Sequence, residues 1–304
     1  MPATRPVGGL AVLCVLGVVA AGSLRTERTE AQSGRRLSLD AVLVRAGEYA
    51  IEYGQALTSV LADELYTQRL VWRRGGDELQ TRRLRSEIAF IRLADSTEWL
   101  AFRNVLVVDD APIAQAAGRL ERLFQTSTRS LPEQARLIAG ESARYNLGPF
   151  TREINLPTTA LHFVHPAHRA NGRFDKKGEE LVAGQQTWVV GFKERDRGTL
   201  ITRGDGKNIP AEGRLWIVPT NGRIVRSELV VKDFVRGSGG SRAEIHVTWR
   251  RDEALDLFVP VELRERYEGP WTAMRAPKQR ERYDIDGVAS YSNYRRFTVD
   301  FKIR

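Results

Sequence analysis

Two hydrophobic periods divide this chain. From Leu39 to Leu61 apolar residues recur every three or four positions, and beyond Asp63 they recur every second position. Leu39, Val42, Leu43, Ala46, Tyr49, Ala50, Tyr53, Leu57, Val60 and Leu61 make the first pattern. It predicts one amphipathic helix of about six turns, with Ser38 as its N-cap. Such a stripe gains its stability from what it packs against. The second pattern starts with Leu65, Thr67, Arg69, Val71 and Arg73 alternating with Glu64, Tyr66, Gln68, Leu70 and Trp72. A helix followed by consecutive strands is the order of an antiparallel sheet with a helix laid on one face.

Further segments extend the sheet. Gly75-Gly76-Asp77 marks a turn, and Leu79–Leu93 and Trp99–Val108 read as two more strands. Two helical stretches follow at Ala114–Gln125 and Leu131–Tyr145, the second with Pro132 in its first turn. A short apolar segment, Leu156–Val164, is stopped by Pro166. Strands resume at about Gln185: Thr187–Arg195, Gly213–Val218, Gly222–Val235, Arg242–Arg250, Val259–Glu268, Gln279–Asp284 and Ala289–Ile303. Residues 215–225 are the clearest hairpin, because Asn221-Gly222 accepts the turn and apolar runs flank it. The expected fold is mainly β (α+β). It is a curved antiparallel sheet or half-open barrel with an N-terminal helix and a helical insertion at about 110–165, in a single domain over 38–304.

The N-terminus points to export. Residues 8–22 carry no charge, Arg5 precedes them and small residues follow, which is the layout of a secretory signal. The uncharged run is shorter than the roughly 20 residues of a membrane span, so cleavage is expected, after Ala21 or after Ala31. Residues 1–31 are thus a signal peptide with its exit region, and 32–37 a linker. The predicted location is periplasmic or secreted. Cys14, the only cysteine, lies inside the apolar run behind Val12 and Leu13 and not behind the small residues of a lipid-attachment signal. The mature chain therefore has no disulfide, although its compartment permits one.

The formal net charge is +9, and only 7 of the 47 basic residues are lysine. Acidic residues are interleaved with the arginines, as in Glu262-Leu-Arg-Glu-Arg-Tyr267. The balance permits contact with an anionic membrane surface, and no nucleic-acid motif accompanies it.

Leu215-Trp-Ile-Val-Pro-Thr-Asn-Gly-Arg-Ile-Val-Arg-Ser-Glu-Leu229 resembles the central hairpin of the lipoprotein-carrier superfamily, which includes LolA- and LolB-type carriers and RseB-type regulators. The element order is similar too. The resemblance implies a half-open antiparallel barrel whose helices form a lid over an apolar cavity. It also implies binding of acyl chains or lipoproteins without a cofactor. The chain is longer than the simple carriers through residues 109–170, and no functional residue carries over.

Candidate chemistry is sparse. His162, His165 and His168 are three of the four histidines and are the candidate metal ligands, since imidazole suits zinc, copper or nickel. Against that reading, Pro166 interrupts the spacing and no carboxylate lies within the run. Alternation places Glu64, Tyr66 and Gln68 on one strand face with Leu70 and Trp72, a polar trio leading into an apolar pair. Asp109-Asp110 and Gly204–Asn208 read as turns. No serine sits in a nucleophile motif. Tyr66, Trp72, Trp188, Trp216 and Trp249 are the pocket candidates: they either pack a core or line an aromatic cavity in a curved sheet. The expected function is an exported non-catalytic binding protein without a cofactor, whose partner is a lipid, an acyl chain or a hydrophobic segment. The alternatives are an envelope structural or regulatory protein with a packed core, and a metal-dependent enzyme using His162, His165 and His168.

Overall fold

The computed structural model describes residues 37–58, 60–92, 97, 99–124, 131–148, 152, 154–235, 239–276 and 279–296. The signal, its cleavage sites and nearly all of the linker lie outside the described residues.

Helix α1 (Leu39–Leu57) begins where the sequence places it, with the Ser38 hydroxyl accepting the Ala41 N–H at 3.2 Å. It ends sooner than expected. Val60 and Leu61 are not on the helical stripe but open strand β1 (Val60–Trp72). They pair with Arg296 and Arg295 on the last strand, and that pairing outweighs their helical spacing. The chain then runs through β2 (Glu78–Arg92), β3 (Trp99–Val108) and the short β4 (Ala111–Pro112). Helices α2 (Arg119–Phe124) and α3 (Leu131–Ala143) follow, then a 3-10 helix (Thr159–Phe163) and α4 (Pro166–Arg169). Pro166 does not stop a helix; it opens one, with the His165 side chain as N-cap. The remaining strands are β5 (Gly172–Val182), β6 (Gln185–Glu194), β7 (Ala211–Ile217), β8 (Ile224–Val235), β9 (Gly239–Asp252), β10 (Leu257–Glu268), β11 (Thr272–Ala276) and β12 (Gln279–Arg296).

Eleven strands form one curved, unclosed antiparallel sheet in the order β4-β3-β2-β1-β12-β10-β9-β8-β7-β6-β5, and β11 pairs with β12 off this path. This is the mainly β, half-open architecture expected. Where the structure describes them, the two final strands expected are one strand, β12, which is described to Arg296; positions 297–303 of the expected last strand lie outside the described residues. Gly287 lies inside it, paired with both Gln68 and Glu265, and is not at a turn.

The inner face of the sheet holds the main core. Val42, Ala46, Ala50, Tyr53 and Leu57 of α1 pack there with Tyr66, Trp72, Ile88, Phe90, Leu215, Ile245, Trp249 and Ile285. Leu147, Leu161, Phe163 and Val164 close the same core from above. Burying these side chains supplies the main driving force for folding. Helices α2 and α3 are elsewhere. Leu120, Leu123, Ala135 and Ile138 pack with Leu61, Ala89, Ile91 and Phe102, which point away from α1. Helices α2 and α3 therefore do not form a lid over the inner face; the later part of the insertion, with Leu147, Leu161, Phe163 and Val164, is what covers it. Alternation along β1–β3 leaves a second apolar patch on the outer face, and these helices cover it.

Candidate functional site

The five aromatic candidates do not face one space. Tyr66 and Trp72 project from β1 into the inner core, and Trp249 joins them from β9 at 1% exposure. Trp188 is half-buried on the inner face of β6, with the Lys176 ammonium 3.7 Å from its ring centroid. Trp216 is on the outer face with Val182, Val189, Val218 and Val225. Its indole N–H donates to Glu180 at 2.6 Å, and the Arg214 and Arg226 guanidiniums lie over its ring. Strand alternation explains the split, since Leu215 and Ile217 take the inner positions of β7.

The polar trio of β1 is brought together with partners distant in sequence. Glu64 is bound by Arg103 through two hydrogen bonds. The Tyr66 hydroxyl donates to Glu265 and accepts from the Asn155 amide at 3.1 Å. Gln68 accepts from Arg152 at 2.6 Å and from the Leu147 N–H at 2.8 Å. Arg152 also lies 3.8 Å from Glu265 and over the Tyr267 ring. All of these side chains are buried. Two carboxylates and two guanidiniums thus neutralise each other beneath the segment that contains Leu147, Arg152 and Asn155. This arrangement fastens that segment to the sheet and leaves neither carboxylate open to a substrate. Burial pushes the Tyr66 phenol well above its usual range, and the Glu265 charge adds to that.

His162, His165 and His168 do gather, with the His168 ring 6.4 and 6.0 Å from those of His162 and His165 and the latter two against Trp99. His162 stacks on the indole with ring centroids 4.5 Å apart, and His165 meets it edge-on at 5.9 Å. The His165 Nδ1 accepts the Ala167 N–H at 3.3 Å. The neutral ring then carries its proton on Nε2, which faces the Thr97 hydroxyl at 3.2 Å. Both ring nitrogens of His165 thus have a neighbour within hydrogen-bond distance. Among the described residues no group of three histidine, cysteine or acidic side chains is arranged to hold an ion.

A cavity of about 780 Å³ opens at the end of the sheet where three hairpin turns meet α1. Tyr49, Glu52, Tyr53 and Ala56 of α1 form one wall. Ala183 and Gln185 come from the β5–β6 turn, Arg223 from the β7–β8 turn, and Arg250, Arg251, Asp256, Leu257 and Phe258 from the β9–β10 hairpin. The Asn221-Gly222 turn anchors this wall. Gly222 has φ +73°, and a Cβ there would lie 2.2 Å from the Arg45 carbonyl carbon. The Arg45 guanidinium in turn donates to the Pro219 carbonyl at 2.9 Å. Tyr49 and Tyr53 stack with centroids 5.5 Å apart. The buried Tyr53 hydroxyl faces the Trp249 indole N–H without a well-formed hydrogen bond between them.

The chain is similar in fold to several solved proteins. One is a DUF1329 family protein from Desulfovibrio piger, 14% identical over 86% of this chain and 95% of that one, at a TM-score of 0.32. A putative outer membrane lipoprotein-sorting protein domain from Vibrio parahaemolyticus is 10% identical over 84% and 94%, at 0.38. A LolA superfamily protein from Nitrosomonas europaea is 12% identical over 84% and 96%, at 0.30. No family model matches the sequence, and no curated protein matches it.

The cavity residues escaped the sequence reading. Tyr49 and Tyr53 were legible as helix stripe, but Arg223, Arg250 and Phe258 lie in different hairpins whose turns meet only in the folded sheet. The Asn221-Gly222 turn was the one local signal at this end.

Proposed function

We propose that this chain works outside the cytoplasm as a non-catalytic binding protein. It holds the apolar part of a hydrophobic ligand or partner segment in the cavity between α1 and the three hairpin turns. The observation that carries the proposal is the cavity itself. Its volume is in the usual range for small-molecule sites, and its wall combines Tyr49, Tyr53, Leu257 and Phe258 with charged and polar side chains. A non-catalytic role accords with Glu64 and Glu265, which are buried against arginines and not presented to a substrate. Export rests on the N-terminal signal pattern. Trp249 backs Tyr53 and serves as the optical reporter of the site.

The filled inner face favours a second reading, an envelope interaction protein that works through its surface. Both are tested by expressing the chain with its own signal, purifying it without detergent and analysing organic extracts by mass spectrometry. A stoichiometric apolar species that is missing from Ala56→Trp, in which the cavity is filled, supports the cavity reading. An empty wild type that also binds no added apolar probe overturns it in favour of the surface reading.

A further inference from the structure

The cavity's charge suggests what its ligand carries at the polar end. Arg223, Arg250 and Arg251 are among its lining residues, and Glu52 and Asp256 are the two acidic ones. Asp256 is already committed, since the Arg251 guanidinium donates to it at 2.5 Å. Arg223 is half-buried and held flat, its guanidinium 4.4 Å from the Phe258 ring centroid and 3.5 Å from the Gln185 amide oxygen. It makes no ion pair with a described carboxylate. Arg250 makes no hydrogen bond or ion pair with any described residue. The site therefore pairs an apolar wall of Tyr49, Tyr53, Ala56, Leu257 and Phe258 with two guanidiniums that lack an acidic partner.

We propose that the cavity selects amphiphilic anions, with a carboxylate or phosphate head between Arg223 and Arg250 and the apolar body against Tyr49, Tyr53 and Phe258. The inference rests on the binding role proposed above and adds the sign of the head group. Guanidinium N–H groups match the oxygens of both heads through charge-assisted hydrogen bonds, Arg223 from a half-buried position and Arg250 from an exposed one. A cationic head of the same length would meet the two guanidiniums directly and bind less well. Glu52, exposed on the rim, lowers the discrimination without reversing it.

Titration calorimetry on the mature chain, below the micelle concentration, tests this with dodecanoate, dodecyl phosphate and dodecyltrimethylammonium. Dodecanoate or dodecyl phosphate is expected to bind at least about tenfold more tightly than the cation. The tighter of the two anions names the head. Arg250→Gln, which removes no described contact, should reduce the preference, and Arg223→Gln with Arg250→Gln should abolish it. Equal binding of anion and cation, or a preference untouched by both substitutions, overturns the anion inference and leaves the binding role standing. No binding of any of the three removes both.

Discussion

Arg103 places its Nε and Nη2 on the two carboxylate oxygens of Glu64, at 2.5 and 2.7 Å, and both side chains are buried. Burial alone would weaken the charge on Arg103, and the facing carboxylate more than offsets it, so the guanidinium is held above its usual range. A buried pair of this kind is costly to break and cheap to replace. Arg103→Met alone should lose about 3–5 kcal/mol, because it leaves Glu64 charged and unpaired. Adding Glu64→Met should restore most of that loss. Urea unfolding of both single variants and the double variant checks it; additive losses would mean that the two residues act separately.

The buried phenols predict an alkaline limit to stability. Burial raises Tyr53, Tyr66, Tyr267 and Tyr291 above the ordinary tyrosine range. In the unfolded chain they titrate near pH ~10. The folded state therefore binds more protons above that pH, and stability is lost as pH rises from there toward the folded values. Phenolate absorbance should rise in one cooperative step that coincides with loss of the near-ultraviolet circular dichroism. A gradual rise in the folded protein would show that these rings are open to solvent.

Gly287 matters because of what lies across it. A Cβ there would sit 2.6 Å from the Glu265 Cγ and Oε1. Gly287→Ala should displace Glu265 from Tyr66 and Tyr267 and cost about 1–3 kcal/mol. Chemical shifts of the Tyr66 and Tyr267 rings report the displacement directly. Unchanged shifts with unchanged stability would show that the Glu265 position is not fixed by the glycine.

The helix and the long hairpins were legible because a period of 3.6 or 2 is a local property. Glu64, Tyr66 and Gln68 could be placed on one face for the same reason. Their partners could not, because Glu265 reaches Tyr66 only through the strand order β1-β12-β10. Strand β5 was missed because it is the sheet edge and carries Asp175, Lys176, Lys177, Glu179 and Glu180, charges that suit an unpaired edge and hide its alternation. The sequence splits strand β12 into Gln279–Asp284 and Ala289 onward, because the glycine at 287 interrupts the alternation when Glu265, which packs against it, is not in view. Helices α2 and α3 were legible as helices, but not which face they cover, since Leu61, Ala89 and Phe102 lie in separate strands.

Asp205 tests a local turn in isolation. The Arg203 guanidinium and then the Lys207 N–H stabilise its charge and hold it down to about 2. An unfolded aspartate titrates near pH ~3.9. A lowered folded value contributes stability above that pH, which is lost as pH falls through the folded value. Carbon-13 titration of the carboxyl should show Asp205 still mostly ionised at pH ~3. Arg203→Gln should bring it back toward the ordinary value. A wild-type titration already at that value would mean that the pair does not persist in solution.

The outer-face position of α2 and α3 separates them from the cavity proposed as the binding site. Leu120 is fully buried against the patch formed by Leu61, Ala89, Ile91 and Phe102, and neither helix lines the cavity beside α1. Leu120→Ala should therefore destabilise the fold by about 2–5 kcal/mol, as other buried leucines do. Dodecanoate affinity should stay within about twofold of wild type, since distant sites act independently. A large gain or loss of affinity in this folded variant would mean that the helices leave the outer face and take part in binding as a lid. Unchanged affinity beside the stability loss assigns them to closing the outer patch and leaves ligand entry to α1 and the three turns.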